Sequence, residues 1–181
     1  RALQKFGDIS GKRVIITGAS GGVGRFAIQL ARQRGAHVIA SVGSDRFSQE
    51  LEALGAHEIV HGAASVAEPV HYAVEAVGGQ ELYDTFQALT EDGVLQIVGA
   101  SSSQPTSFPP YTIATRRRTV FSHGGGPVQR RGGELAELIG LIQSGSLDTS
   151  IKWTGGWTQF AEASDLILTR RLGGKAVIRI G

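Results

Sequence analysis

A doubly wound α/β fold, with a six-stranded, mainly parallel sheet and helices on both faces, is predicted for this 181-residue chain. Three observations predict it. Short β-rich runs alternate with stretches of helical periodicity, which implies parallel strands joined by crossover helices. A glycine cluster separates the first strand from the first helix. The chain is 41% hydrophobic and 19% charged with 26 Gly, about twice the usual share of roughly 7%, a globular rather than fibrous or disordered balance.

The elements follow in order. Val14, Ile15 and Ile16 make the first strand. Val23, Ala27 and Leu30 then recur at helical spacing, with Arg25, Gln29, Arg32 and Gln33 turned outward and Gly35 as the stop. His37 to Ser41 is the second strand. Ser44 is placed to cap a helix whose apolar side is Phe47, Leu51 and Leu54, closed by Gly55. Glu58 to Val60 fits a third strand and Tyr72 to Val77 a fourth. Leu82, Phe86 and Leu89 stand at i, i+4 and i+7 of a helix before a fifth strand from Val94 to Val98. Residues 100–110, with four Ser and three Pro, cannot pair regularly and read as a long loop, a place where ligands are often touched. Thr119 to Ser122 is a sixth strand, and Leu135, Leu138, Ile139 and Ile142 stripe one more helix before Gly145. From Leu147 to Gly181 there follow a strand, an amphipathic helix around Phe160 and Ile167, and a final run from Ala176 to Ile180.

Composition bounds the function. A chain of this length buries roughly 70% of its unfolded surface and needs no disulfide or structural metal. The absence of Cys excludes a disulfide framework, a thiolate zinc site and a thiol nucleophile in this stretch. Lys plus Arg is 18 against 16 Asp plus Glu, an excess too small for a nucleic-acid protein. No window approaches the 18 or so uninterrupted apolar residues of a membrane span, so a soluble, cytoplasmic protein is expected. The chain starts at Arg1 rather than Met and is expected to be part of a longer protein.

The functional signal is Thr17 to Gly24, TGASGGVG, set between a strand and a helix. A helix N-terminus carries partial positive charge and free backbone N–H groups, and glycines let a pyrophosphate approach them, so this turn is an anion site in a Rossmann domain. The bland alternative is a plain tight turn. Other patterns overlap the same residues. Gly18, Ser20 and Gly22 form G-x-S-x-G, the elbow of a serine hydrolase using Ser20, with His123 as the paper partner, but no upstream segment builds an oxyanion loop. Thr17, Gly18, Gly22 and Gly24 match the TGxxxGxG of short-chain dehydrogenases. Their Tyr with a Lys four residues on is missing, because Tyr72, Tyr83 and Tyr111 are followed there by Ala76, Gln87 and Thr115. His57 to His61 spells HExxH, yet this stretch reads as a strand between Gly55 and Gly62, which would set the two histidines roughly 13 Å apart and leave no metal site. Arg116, Arg117 and Arg118 read as a solvated helix end, and Trp153 and Trp157 as packing anchors.

Over nearly the whole chain the sequence resembles the medium-chain dehydrogenase/reductase superfamily, in its quinone oxidoreductase-like branch of zinc-binding alcohol dehydrogenase-like proteins. The resemblance rests on GKRVIITGASGGVGRFAIQLARQRGAHVIA, LEALGAHEIV, VEAVGG, GVLQIVGA and the closing GGKAVIRIG. It implies a Rossmann NAD(P)-binding domain over 1–146. Residues 147–181 would be a closing segment returning toward a preceding GroES-like catalytic domain that is not in this stretch, with its apolar residues left partly uncovered.

An acid at the end of the second strand would mark NAD. Val42 holds that place here, and Ser41, Ser44 and Arg46 offer hydroxyls and a guanidinium that can receive a 2'-phosphate. NADPH is therefore expected over NADH. Phe47 stands where the family often has Lys, and Asp45 works against the phosphate. Ala19, Ser20, Gly21, Gly22, Val23 and Gly24 would hold the pyrophosphate. By resemblance, Ala76 and Val77 line a ribose, Gly99 and Ala100 flank the nicotinamide, and Lys175 stands near the pyrophosphate.

The resemblance implies an oxidoreductase that passes hydride from NADPH to a quinone, enone or enoyl-type small molecule reached through the missing domain. No catalytic side chain and no metal ligand is expected in this stretch, which is expected to bind the nicotinamide dinucleotide without turnover. The edge strand near Thr119 to Ser122 suggests a homodimer paired edge to edge. A zinc-dependent alcohol dehydrogenase domain and a non-catalytic nucleotide-sensing module stay open as alternatives.

Overall fold

Neighbouring residues of a β-strand point to opposite sides, and here both sides are apolar. Val14 and Ile16 join one buried cluster while Ile15 joins another, and Val38 and Ala40 part from Ile39 in the same way. Such strands are stable only with helices on both faces. The computed structural model, which describes residues 1–122 and 132–180, has that arrangement. Strands Arg13–Ile16 (β1), His37–Val42 (β2), Glu58–His61 (β3), Val70–Glu75 (β4), Leu89–Ile97 (β5) and Thr119–Ser122 (β6) form one parallel sheet in the order β3-β2-β1-β4-β5-β6. In register, Val14 pairs with Val38 on one side and Tyr72 on the other.

Helices Gly22–Gln33 (α1) and Ser48–Ala53 (α2) supply Ala27, Ile28, Ala31 and Leu51 to the first cluster. Helix Gly79–Ala88 (α3) supplies Leu82 and Phe86 to the second. A short helix Pro110–Ala114 (α4) and a longer one Gly132–Gln143 (α5) follow. Beyond them Ile151–Gly156 (β7), Phe160–Leu168 (α6) and Lys175–Arg179 (β8) form a separate unit whose two strands pair in parallel. No helix among the described residues is long and apolar enough to cross a membrane.

Several expectations need correction. Arg25 and Gln29 are buried and Val23 is 57% exposed, the reverse of the helical reading. The reason lies far away in sequence. Arg25 Nη1 bonds Glu50 at 2.9 Å, while Gln29 donates to the carbonyl of Asp148 and accepts its N–H. Leu89 packs in the core from the start of β5 rather than from α3. The fourth strand ends at Glu75, which leaves Ala76 and Val77 in the loop beyond it. Ser44 precedes a 3-10 turn, Asp45–Phe47, and its side chain caps nothing. Arg118 is not solvated, since its guanidinium donates to the carbonyls of Phe86, Leu89 and Thr90 and lies 5.3 Å from the Phe86 ring centre. Trp157 is 63% exposed and touches the Phe160 ring, so it anchors no core.

Candidate functional site

The turn after β1 is built by glycines with different duties. Gly18 takes φ +58 and accepts the N–H of Gly21 at 2.9 Å, which reverses the chain from strand to helix. Gly24 lets the first turn of α1 lie on that reversal. A Cβ there would sit 2.5 Å from the Gly18 carbonyl oxygen and 2.6 Å from Ala19 Cα. Gly21 is the N-cap, and the first intrahelical bond runs from Arg25 N to the Gly21 carbonyl. The N–H groups of Gly22, Val23 and Gly24 therefore precede the helical ladder, at the positive end of α1 with no acid in its first turn. Ala19 is buried beneath them.

Through Gly18, Ser20, Gly21 and Gly22 the turn borders a cleft of 830 Å³ at the C-terminal ends of the parallel strands. Of the residues expected from sequence, Ser20, Gly21, Gly22, Ser41, Ser44 and Val77 line it. Lys175 stands beside it, with Nζ 3.0 Å from where a Cβ on Gly22 would sit and 4.8 Å from the Phe26 ring centre. Gly99 and Ala100 lie against the loop after β4, for a Cβ on Gly99 would be 3.2 Å from the Ala76 carbonyl oxygen and one on Gly78 3.5 Å from Ala100. Like Lys175, Gly99 and Ala100, the expected residues Ala19, Val23, Gly24, Arg46 and Ala76 are not among the lining residues. The Arg46 guanidinium lies 5.4 Å from the ring centre of Phe47, which is one of them.

Glu75 shapes the loop that bears Ala76 and Val77. Fully buried, its carboxylate accepts the N–H of Val77 at 2.7 Å, that of Gly78 at 2.8 Å and the Thr17 hydroxyl at 3.1 Å. Burial nevertheless pushes its pKa up, against those hydrogen bonds and with help from the nearby Glu81 charge. Across the cleft Glu81, third residue of α3, accepts the Ser41 hydroxyl and the N–H of Ala63.

Sequence reasoning missed Phe47, His61, Gly62, Glu81 and Ser101, with Ile167, Leu168, Arg170, Leu172, Gly173 and Gly174, all of which border this cleft. Those from Ile167 onward come from the closing segment. Gly173, at φ +59, touches Phe47 so closely that a Cβ would fall 2.3 Å from the ring. Only the VEAVGG spacing, with an acid two residues into α3, offered a signal for Glu81.

The HExxH pattern does not assemble, and Ser20 has no histidine hydrogen-bond partner among the described residues. His57 stacks on His37 with ring centres 4.6 Å apart, while His61 bonds Asp45 at 2.9 Å on the cleft rim. None of the described histidines contacts Ser20, and His123 lies outside the described residues.

The family model described as zinc-binding dehydrogenase matches residues 22–144. A probable mitochondrial zinc-binding oxidoreductase of Arthroderma benhamiae is 26% identical over 95% of this chain and 53% of its own length. The mouse protein named prostaglandin reductase-3 is 31% identical over 60% of this chain and 32% of its own length. Among solved structures, the quinone oxidoreductase of Coxiella burnetii superposes with a TM-score of 0.82 at 28% identity, covering 99% of this chain and 56% of that one. The chain thus spans about half the length of these larger relatives.

Proposed function

Because this chain belongs to the zinc-binding dehydrogenase family of the medium-chain dehydrogenases and reductases, we propose that it is the NADPH-binding domain of an oxidoreductase that transfers hydride to a quinone, enone or enoyl-type substrate. The observation that carries this reading is the turn at the start of α1, where Gly18, Ser20, Gly21 and Gly22 line the cleft, the N–H groups of Gly22, Val23 and Gly24 precede the helical ladder, and Lys175 Nζ stands 3.0 Å from where a Cβ on Gly22 would sit. That donor set, with a strand–turn–helix in which a Cβ on Gly24 would collide with backbone, fits a pyrophosphate. The dinucleotide supplies the hydride when bound.

The chain's own residues bind and orient. Gly21 to Gly24 and Lys175 hold the pyrophosphate. Ala76 and Val77, fixed by Glu75 from below, flank the ribose, while Gly99 and Ala100 leave room for the nicotinamide ring. Val42 in place of an acid supports NADPH over NADH, with Ser44 and Arg46 as donors to the 2'-phosphate. The quinone oxidoreductase and prostaglandin reductase names of larger relatives support a reductase of quinone-type substrates. Zinc has no donor set here, for the chain lacks cysteine and no three His, Asp or Glu converge among the described residues. Substrate contacts fall to the GroES-like half that would precede this stretch, so the chain binds coenzyme without turnover. Residues 147–181 return toward that half, consistent with the exposure of Ile151, Phe160, Leu168 and Ile180. Two copies pair through β6, whose four residues are all exposed.

Calorimetric titration of NADPH and NADH tests this reading, with Arg46→Ala in parallel. Tighter NADPH binding that weakens in the variant is expected. Failure of both nucleotides to bind, or equal binding unaffected by Arg46→Ala, would overturn the coenzyme assignment.

A further inference from the structure

The cleft runs on past Ser41 and Ser44, and a carboxylate stands at its far end. The pyrophosphate belongs at the N-terminus of α1 and the adenosine ribose at the end of β2. The base must then lie beyond, toward the end of β3. The groups that border the cleft there are Val42, Gly43, His61, Gly62 and Glu81. Among them Glu81 alone is an acceptor-only side chain reaching in from α3. It is held from two other elements. The Ser41 hydroxyl at the end of β2 donates to Oε1, and the N–H of Ala63 beyond β3 is 3.2 Å from each oxygen. Among the described residues, Oε2 receives only the shared Ala63 N–H. Gly62 keeps its approach open, since a Cβ there would come within 3.4 Å of that oxygen.

We propose that Glu81 reads the base of the coenzyme, its Oε2 accepting a hydrogen bond from the exocyclic amine of adenine. The inference rests on the dinucleotide reading of the cleft given above. A carboxylate oxygen can accept but not donate. It therefore favours a 6-amino purine and rejects a 6-oxo purine, whose carbonyl would face it lone pair to lone pair. Ser41 and Ala63 fix the carboxylate before the base arrives, which limits the ordering cost of recognition. The recognition is separate from the 2'-phosphate, so it bears equally on NADPH and NADH.

The test compares dissociation constants of NADPH and its hypoxanthine analogue for the wild-type chain, Glu81→Gln and Glu81→Ala. A hydrogen bond to a charged partner predicts that wild type binds the adenine form about ten- to hundredfold more tightly. Glu81→Ala brings the ratio to near one. Glu81→Gln keeps an acceptor for Ser41 and Ala63 but presents an amide donor to the base, so the preference inverts. The ratio within one variant is insensitive to modest loss of stability, and Glu81→Gln serves if Glu81→Ala does not fold. An unchanged base ratio in the folded variants overturns the proposal, as does a shift in the NADPH-to-NADH ratio alone. Binding of neither dinucleotide by wild type would sink the underlying reading and this inference with it.

Discussion

Glu75 accepts the backbone N–H of Gly78 at 2.8 Å, and through that bond a buried carboxylate at the end of β4 holds the loop that borders the cleft. The same oxygen takes the N–H of Val77 and the Thr17 hydroxyl, so the loops after β1 and β4 share one anchor. The other oxygen, Oε2, has no hydrogen-bond partner among the described residues. Burial raises the pKa above its ordinary value of 4.5, so the folded protein holds this proton more tightly than the unfolded chain does. The contribution of Glu75 to stability therefore falls as pH rises from about 4.5 through the raised pKa. Glu75→Gln, neutral throughout, should gain stability relative to wild type across that window in urea denaturation. A difference that stays flat with pH would refute the assignment.

Glu50 joins Arg25 of α1 to Lys152 of the closing segment. The buried Arg25 guanidinium bonds Glu50 at 2.9 Å and the Ser20 carbonyl at 3.1 Å, and Lys152 of β7 bonds the same Glu50 oxygen at 2.6 Å. Arg25→Ala is expected to cost about 2–4 kcal/mol, below the extreme for a fully buried pair because Glu50 is partly exposed. Lys152 first, and Arg25 after it, hold the Glu50 pKa below 4.5, against the opposing effect of burial. Its stabilisation is therefore present above 4.5 and is lost as pH falls through the folded value. Protection factors for amide exchange over residues 146–152, corrected for the intrinsic slowing of exchange at lower pH, should fall on acidification in wild type but change little in Glu50→Gln.

The same substitution should have opposite effects at two glycines. Gly24→Ala drives a methyl into the backbone of Gly18 and Ala19, which cannot yield as a flexible side chain would. A loss of about 2–3 kcal/mol and of dinucleotide binding is expected. Gly140, exposed within α5, has nothing within 4 Å of a Cβ, so Gly140→Ala should stabilise by about 0.5–1 kcal/mol. Thermal melting of the pair checks both signs.

Lys175→Ala should weaken dinucleotide binding about tenfold, as loss of a charged donor predicts, while Lys175→Arg retains most of it. The nearest basic side chain on α1, Arg25, is already committed to Glu50 and the Ser20 carbonyl. Raising the salt concentration should narrow the difference between wild type and Lys175→Ala. Equal affinities at low salt would remove Lys175 from the site.

On β6, the edge strand of the sheet among the described residues, Val120 and Phe121 are 43% and 45% exposed. A dimeric mass by sedimentation is expected for the wild-type chain at high concentration and a monomeric one for Phe121→Lys. A monomeric wild type would count against pairing through β6.

Much of this architecture is legible in the sequence because it depends on local chemistry. The alternation of β-rich runs with helical periods implies a parallel sheet, and TGASGGVG between strand and helix implies an anion cradle whatever surrounds it. β6 occupies Thr119–Ser122 as its composition predicts, since a short β-branched and aromatic run has few other fates. The departures share one physical cause, which is pairing between residues distant in the chain. Arg25 and Gln29 look like a solvated helix face until Glu50, Asp148 and Lys152 are brought against them. Arg118 looks like part of a charged run until the carbonyls at the end of α3 claim it. Glu81 looks like an ordinary first-turn acid, and only the folding of β2, β3 and α3 around one crevice sets it beside Ser41 and Ala63. Periodicity reports which side of an element is apolar. Which polar groups become buried, and what they then face, is decided by tertiary contacts, because desolvation is tolerated only where a distant partner completes the hydrogen bonds.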